Sequence, residues 1–147
     1  MGLFDKVMGP KEDKAKLSKE EAFAAVGFAA IAADGVITEE EARGFIVGLS
    51  RMKIFANFSD KDMNAMLNKL VNTIKKNGLD GLVKMANESL PEDMKQTAFA
   101  VATDLAFADG DVDQTERDIL TKVQQLMGIP EAQAMKIIEV IMIKNKG

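Results

Sequence analysis

Helix punctuation constrains this chain more than any other feature of its sequence. Ser18-Lys-Glu-Glu21 and Thr38-Glu-Glu-Glu41 each set a hydroxyl side chain three positions before a Glu, and Asp113-Gln-Thr-Glu116 does the same with a carboxylate. In such a box the first side chain accepts from the third helical N–H and the Glu returns a bond to the cap, so each marks a helix start. Ser59 caps a further helix, Asn77-Gly78 offers a left-handed stop, Pro91 suits a first helical position, Gly128 closes a helix and Pro130 opens the last. The pattern predicts helices over 18–33, 38–52, 59–76, 79–89, 91–108, 113–127 and from 130 onward, with no convincing period-two strand. The expected fold class is therefore all-α, a single-domain bundle of about seven helices.

Composition narrows the chemistry. The 147 residues suit one domain and include neither Cys nor His. Disulfides, thiolate zinc sites, Fe–S clusters, thiol nucleophiles and imidazole bases are all excluded. The longest apolar run, Ala22 to Ala33, is well short of the roughly 20 residues a membrane span requires, so it reads as a buried helix and no transmembrane segment is expected. Residues 1–17 form a separate N-terminal segment ahead of a domain over 18–147. Its start lacks a secretory h-region, and Lys6 stands where myristoylation needs Ser or Thr, so the expected location is cytoplasmic. Leu3, Phe4, Val7 and Met8 share one helical face, but so short a face, without Trp, would hold a membrane surface only weakly; docking on the bundle or simple disorder is preferred.

A repeat links the helices. Ala33-Asp34-Gly35-Val36-Ile37-Thr38-Glu39-Glu40-Glu41 aligns without gaps, at an offset of 75, on Ala108-Asp109-Gly110-Asp111-Val112-Asp113-Gln114-Thr115-Glu116. Each copy follows an Ala-rich helix and precedes an amphipathic one, so the unit is a helical hairpin, and the two apolar helices, Glu20 to Ala33 and Glu92 to Ala108, are expected to pack at the centre. The chain carries a net charge of −4, yet residues 34–43 alone carry −3 and residues 104–118 carry −5. Acidity is thus concentrated at the two repeated turns. Asp-Gly turns and helix-start acids explain Thr38, Glu41, Asp113 and Glu116, but Asp34 and Asp109 sit at helix C-terminal ends, where the dipole opposes a carboxylate. Hard-cation binding is the sharper reading, because Asp109, Asp111, Asp113 and Glu116 are clustered oxygen donors of the kind that suit Ca²⁺, Mg²⁺ or Mn²⁺. The spacing is not an EF-hand, since Gln114 and Leu120 occupy the positions that would need Gly and a bidentate Glu. A complete site would need both copies brought together.

These paired Ala-Asp-Gly-x-[Ile/Val]-x-x-x-Glu motifs after Ala-rich helices resemble the tellurite-resistance TerB family and the N-terminal domain of DjlA-type membrane co-chaperones, over about Ser18 to Lys144. The resemblance implies a compact bundle of about seven helices and an acidic metal-chelating site mapping onto Asp34, Glu41, Asp109 and Glu116. It also implies a non-enzymatic role in chemical-stress responses, acting through other proteins, some of them membrane-associated. The rival reading is a metal-dependent hydrolase using the same acids; the absence of His and of a substrate-orienting constellation weighs against it. Nucleic acid is an unsuitable partner for a chain of pI near 5.0 without a broad basic stripe. Met52, Phe55, Phe58, Met63 and Met66 are expected in the core, with a Met-rich binding groove as the alternative.

Overall fold

A helix that is apolar all round is stable in water only if other elements enclose it. In the computed structural model, which describes residues 16–33, 35, 37–107 and 112–146, that helix is α1 (Lys19–Ile31), buried at every position from Ala22 to Ala30. It is followed by α2 (Glu39–Ser50), a 3₁₀ turn (Lys53–Phe55), α3 (Asp60–Ser89), a second 3₁₀ turn (Glu92–Met94), α4 (Lys95–Ala106), α5 (Gln114–Leu126) and α6 (Glu131–Lys144). No strand is present among the described residues. The α3 helix is broken at Gly78, whose φ of 75° only glycine adopts readily, so the six helices comprise seven straight segments. The expected stop at Asn77-Gly78 thus acts as a bend, with helix resuming at once.

Every helix start expected to carry a box does so. The hydroxyl of Ser18 accepts from Glu21 N–H at 3.1 Å while Glu21 Oε1 accepts from Ser18 N–H at 2.8 Å. Ser59 completes a fourth box with Asp62, whose shorter carboxylate still reaches the cap N–H at 3.0 Å. Boxes of this kind contribute about 1 kcal/mol each by satisfying N–H groups that have no partner inside the helix.

Pro91 departs from its expected place. It caps the second 3₁₀ turn with an extended ψ of 144°, and α-helix begins only at Lys95. A proline ring disfavours helical backbone in the residue before it, and Leu90 is extended, at ψ 126°. One tight turn then redirects the chain before the longer helix can form.

Packing is organised on α1, which lies most extensively against α4 and α3. The two Ala-rich helices therefore do meet in the middle, although α4 fully buries only Ala98, Phe99, Ala102, Thr103 and Ala106 along one stripe. They lie close together at Gly27, where an added Cβ would stand 3.0 Å from Leu105 Cδ1 of α4 and 3.2 Å from Phe45 Cε1 of α2. Phe23 meets Phe55 edge-on at 6.1 Å, and Phe55 meets Phe58 at 5.2 Å. Phe55, Met63 and Met66 are buried, and Met52 and Phe58 are half-buried against them, so this cluster is core and forms no groove. Leu17 also joins the core. The residues of the N-terminal amphipathic reading, Leu3 to Met8, lie outside the described residues.

Polar clamps tie the later helices to this centre. Lys122 of α5 pairs with Asp80 of α3 at 2.9 Å, and Asp104 of α4 accepts from Lys144 at 3.2 Å and from Asn145 Nδ2 at 2.9 Å. Lys69 of α3 lies 2.8 Å from Glu21 Oε1 and also donates to the Lys16 carbonyl. Burial pushes the Glu21 carboxyl up, but hydrogen bonds from Lys69 and from the Ser18 N–H, with the ammonium charge, hold it below its ordinary value. A depressed folded-state pKa stabilises the fold above the unfolded carboxylate's pKa, and that contribution fades as pH falls through the folded value. Thermal melts of wild type and Glu21→Gln are therefore expected to differ at neutral pH and to converge in acid, as pH falls from the unfolded carboxylate's value through the lower folded one. A gap that stayed constant with pH would contradict this role.

Candidate metal centre at the two acidic corners

The first corner begins where α1 ends. The Ala32 N–H closes the helix on Phe28 O at 2.9 Å, Gly35 N–H returns to Ala32 O at 2.9 Å, and Gly35 takes a φ of 84°. A residue with a Cβ would be strained there, which is the local reason for glycine after Asp34. Ile37 then turns partly inward, and Thr38 opens α2. Its Oγ1 accepts from Glu41 N–H at 3.1 Å, and Glu41 Oε1 accepts from Thr38 N–H at 3.2 Å. The described residues of the second corner are Phe107 and those from Val112 onward. Phe107 caps α4, Val112 is buried, Asp113 Oδ1 accepts from Glu116 N–H at 2.8 Å, and Glu116 Oε1 accepts from Asp113 N–H at 3.2 Å.

Of the six candidate ligands, Glu41, Asp113 and Glu116 are thus placed, each with an oxygen engaged in its own capping box. Asp34, Asp109 and Asp111 lie outside the described residues. Among the described residues no three acidic side chains converge to hold an ion. Each of these carboxylates commits one oxygen to its box: Oε1 of Glu41 accepts from the Thr38 N–H, Oδ1 of Asp113 from the Glu116 N–H and Oε1 of Glu116 from the Asp113 N–H. Carboxylates have two oxygens with about four lone-pair sites between them, so the capping role and a hard-cation role are chemically compatible.

Beside each corner lies an apolar cleft that the acid motif does not announce. The first, of about 430 Å³, runs between the corner, α2 and the first limb of α3, over Phe28, Leu67, Val71 and Ile74, with Lys75 at its edge. The second, of about 700 Å³, lies between α5 and α6 and is lined by Phe99, Leu120, Ile138 and Met142, with Arg117 among its polar residues. Ala32, Ile37, Ala42 and Leu67 in the first lining stand 75 positions before Phe107, Val112, Arg117 and Met142 in the second. Only the pairing of Ile37 with Val112 falls within the nine aligned residues.

No helix among the described residues is long and apolar enough to cross a membrane. Neither the curated proteins nor the solved structures contain a match to this chain. The family model for tellurite resistance protein TerB does match, over residues 20–138. The matched span contains both Ala-rich helices, both acidic corners and both clefts' inner walls as far as Ile138. An all-α chain matched by this model over most of its length belongs to the TerB family of tellurite-resistance proteins.

Proposed function

We propose that this TerB module is a non-enzymatic binding unit, cytoplasmic in location, that takes up one divalent cation and engages other proteins in a stress response. Asp34 and Glu41 of one corner and Asp109 and Glu116 of the other would hold the ion, with Asp111 and Asp113 in the same acidic turn. The observation that carries this reading is the crossing of α1 and α4. Gly27 faces Val101 and Leu105, so the crossing lies within ~8 Å of helix from the end of each, and each end leads directly into an acidic corner. Were the two clusters of like charge to meet there they would repel, and a bound cation would relieve that repulsion. The donor set fits such an ion, being made of carboxylate oxygens without N or S ligands.

The clefts favour binding over hydrolysis. The first is walled largely by Phe28, Ile37, Leu67, Val71 and Ile74, a surface suited to a partner's apolar residues, and the second adds Arg117, Gln124 and Glu131 around an apolar floor, with no His or Cys to serve as base or nucleophile.

Thermal melts with Ca²⁺, Mg²⁺ or Mn²⁺ against chelator test the cation. An ion present at about 100 times its Kd should stabilise the fold by about 2.7 kcal/mol. The Asp34→Asn/Asp109→Asn variant should lose that shift while keeping both capping boxes. A flat response to every ion in the wild-type protein would retire the site. Turnover of phosphoesters or peptides with the best ion would instead support the hydrolase.

A further inference from the structure

The last helix exposes more apolar surface than the bundle uses. Ala134 alone is buried in α6, whereas Met135, Val140, Met142 and Ile143 are 53%, 62%, 49% and 70% exposed. Lys136 and Glu139 are exposed on the same side, and among the described residues neither has an ion pair within the chain. Met135, Lys136, Glu139, Met142 and Ile143 follow the i, i+1, i+4, i+7, i+8 spacing of a single helical strip.

That strip is complementary to its own reversed copy. When two α6 helices lie antiparallel about a twofold axis, Met135 of one faces Met142 of the other, and Lys136 of one faces Glu139 of the other. The apolar pairing is centred between residues 138 and 139 and the charged one between 137 and 138, ~1.5 Å apart along the helix, an offset that the long Lys and Glu side chains can span. An interface in which residue i meets j and j meets i is what a closed two-subunit assembly requires. An unrelated partner would not require the charges to be placed so symmetrically.

We propose that the protein self-associates through α6 into an antiparallel twofold dimer, with Lys136 paired to Glu139 of the second copy on each side. A helix of 14 residues offers a contact only ~21 Å long, at the small end of specific interfaces, so the dimer should be weak, with Kd on the order of tens to hundreds of micromolar.

Sedimentation equilibrium of the full chain from about 10 µM to about 1 mM tests this, with circular dichroism confirming that each variant is folded. The wild-type protein should pass from monomer to dimer across that range. Lys136→Glu and Glu139→Lys should each weaken self-association about tenfold or more, because each sets like charges opposite one another. An equimolar mixture of these two variants should form a heterodimer, and the Lys136→Glu/Glu139→Lys double variant should regain the wild-type constant. A wild-type protein that stays monomeric at about 1 mM overturns the proposal, whether α6 is covered by the chain's own N-terminal segment or awaits another protein. So does a dimer indifferent to both single reversals, or a mixture that fails to associate.

Discussion

Phe23→Ala is expected to lower the unfolding free energy by about 3–5 kcal/mol, a loss comparable with much of the margin by which a domain of this size is stable. Phe23 is 1% exposed and meets the ring of Phe55, itself edge-on to Phe58, so truncation leaves a void beside the Phe55 ring within the core. The surrounding helices cannot collapse into that space without moving α1, which is enclosed along its whole middle. Tm should fall by roughly 10–20 °C. Phe23→Leu keeps most of the volume and should cost far less, and Val140→Ala, at a site 62% exposed, should stay within about 0.5 kcal/mol of wild type. Urea titrations of the three variants, read by far-UV circular dichroism, check the ordering. Similar losses for Phe23→Ala and Val140→Ala would mean that α1 is not the centre of the core.

Gly27 provides the second large effect, and it acts through shape. Gly27→Leu should cost about 3 kcal/mol, because Leu105 and Phe45 already occupy the space where its side chain would go. Gly27→Ala should be close to neutral. Its Cβ would meet the flexible end of Leu105 at 3.0 Å, a contact that a small rotation relieves, and the gain of about 1 kcal/mol in helix propensity offsets the crowding. Cation response adds a second readout. If the α1–α4 crossing brings the acidic corners together, a folded Gly27→Leu protein should lose most of its cation-dependent stabilisation even though no carboxylate has changed. An unaltered cation shift in a folded Gly27→Leu variant would separate the ion site from this crossing.

The expectations from sequence held wherever the signal was local. Ser18, Thr38 and Asp113 open helices in the expected reciprocal boxes, because an N-cap depends on residues three positions apart and on little else. Asn77-Gly78 was legible as a left-handed backbone site, yet not as a bend, because whether helix resumes depends on what the second limb packs against: Leu82, Val83 and Ala86 are buried there. Pro91 stands one turn ahead of α4 for a similar reason: its restraint on Leu90 is local, while the point of entry into the core is not. The acids were visible as a charge pattern, but in sequence Glu41 and Glu116 look equally suited to capping and to coordination. Coordinates show one oxygen of each engaged in its box. Neither cleft was anticipated, since Leu67 and Val71 or Phe99 and Ile138 become neighbours of a corner only after helices far apart in sequence have packed.

The capping boxes at Ser18, Thr38 and Asp113, the apolar character of α1 and the family to which the chain belongs were determined by sequence alone, because each rests on residue identity and not on which helices meet. The order of packing around α1, the close approach at Gly27, the two clefts and the exposed strip on α6 were decided by tertiary structure. Burial is a property of surfaces that meet, and a residue's own neighbours in the chain do not specify which surface it will meet.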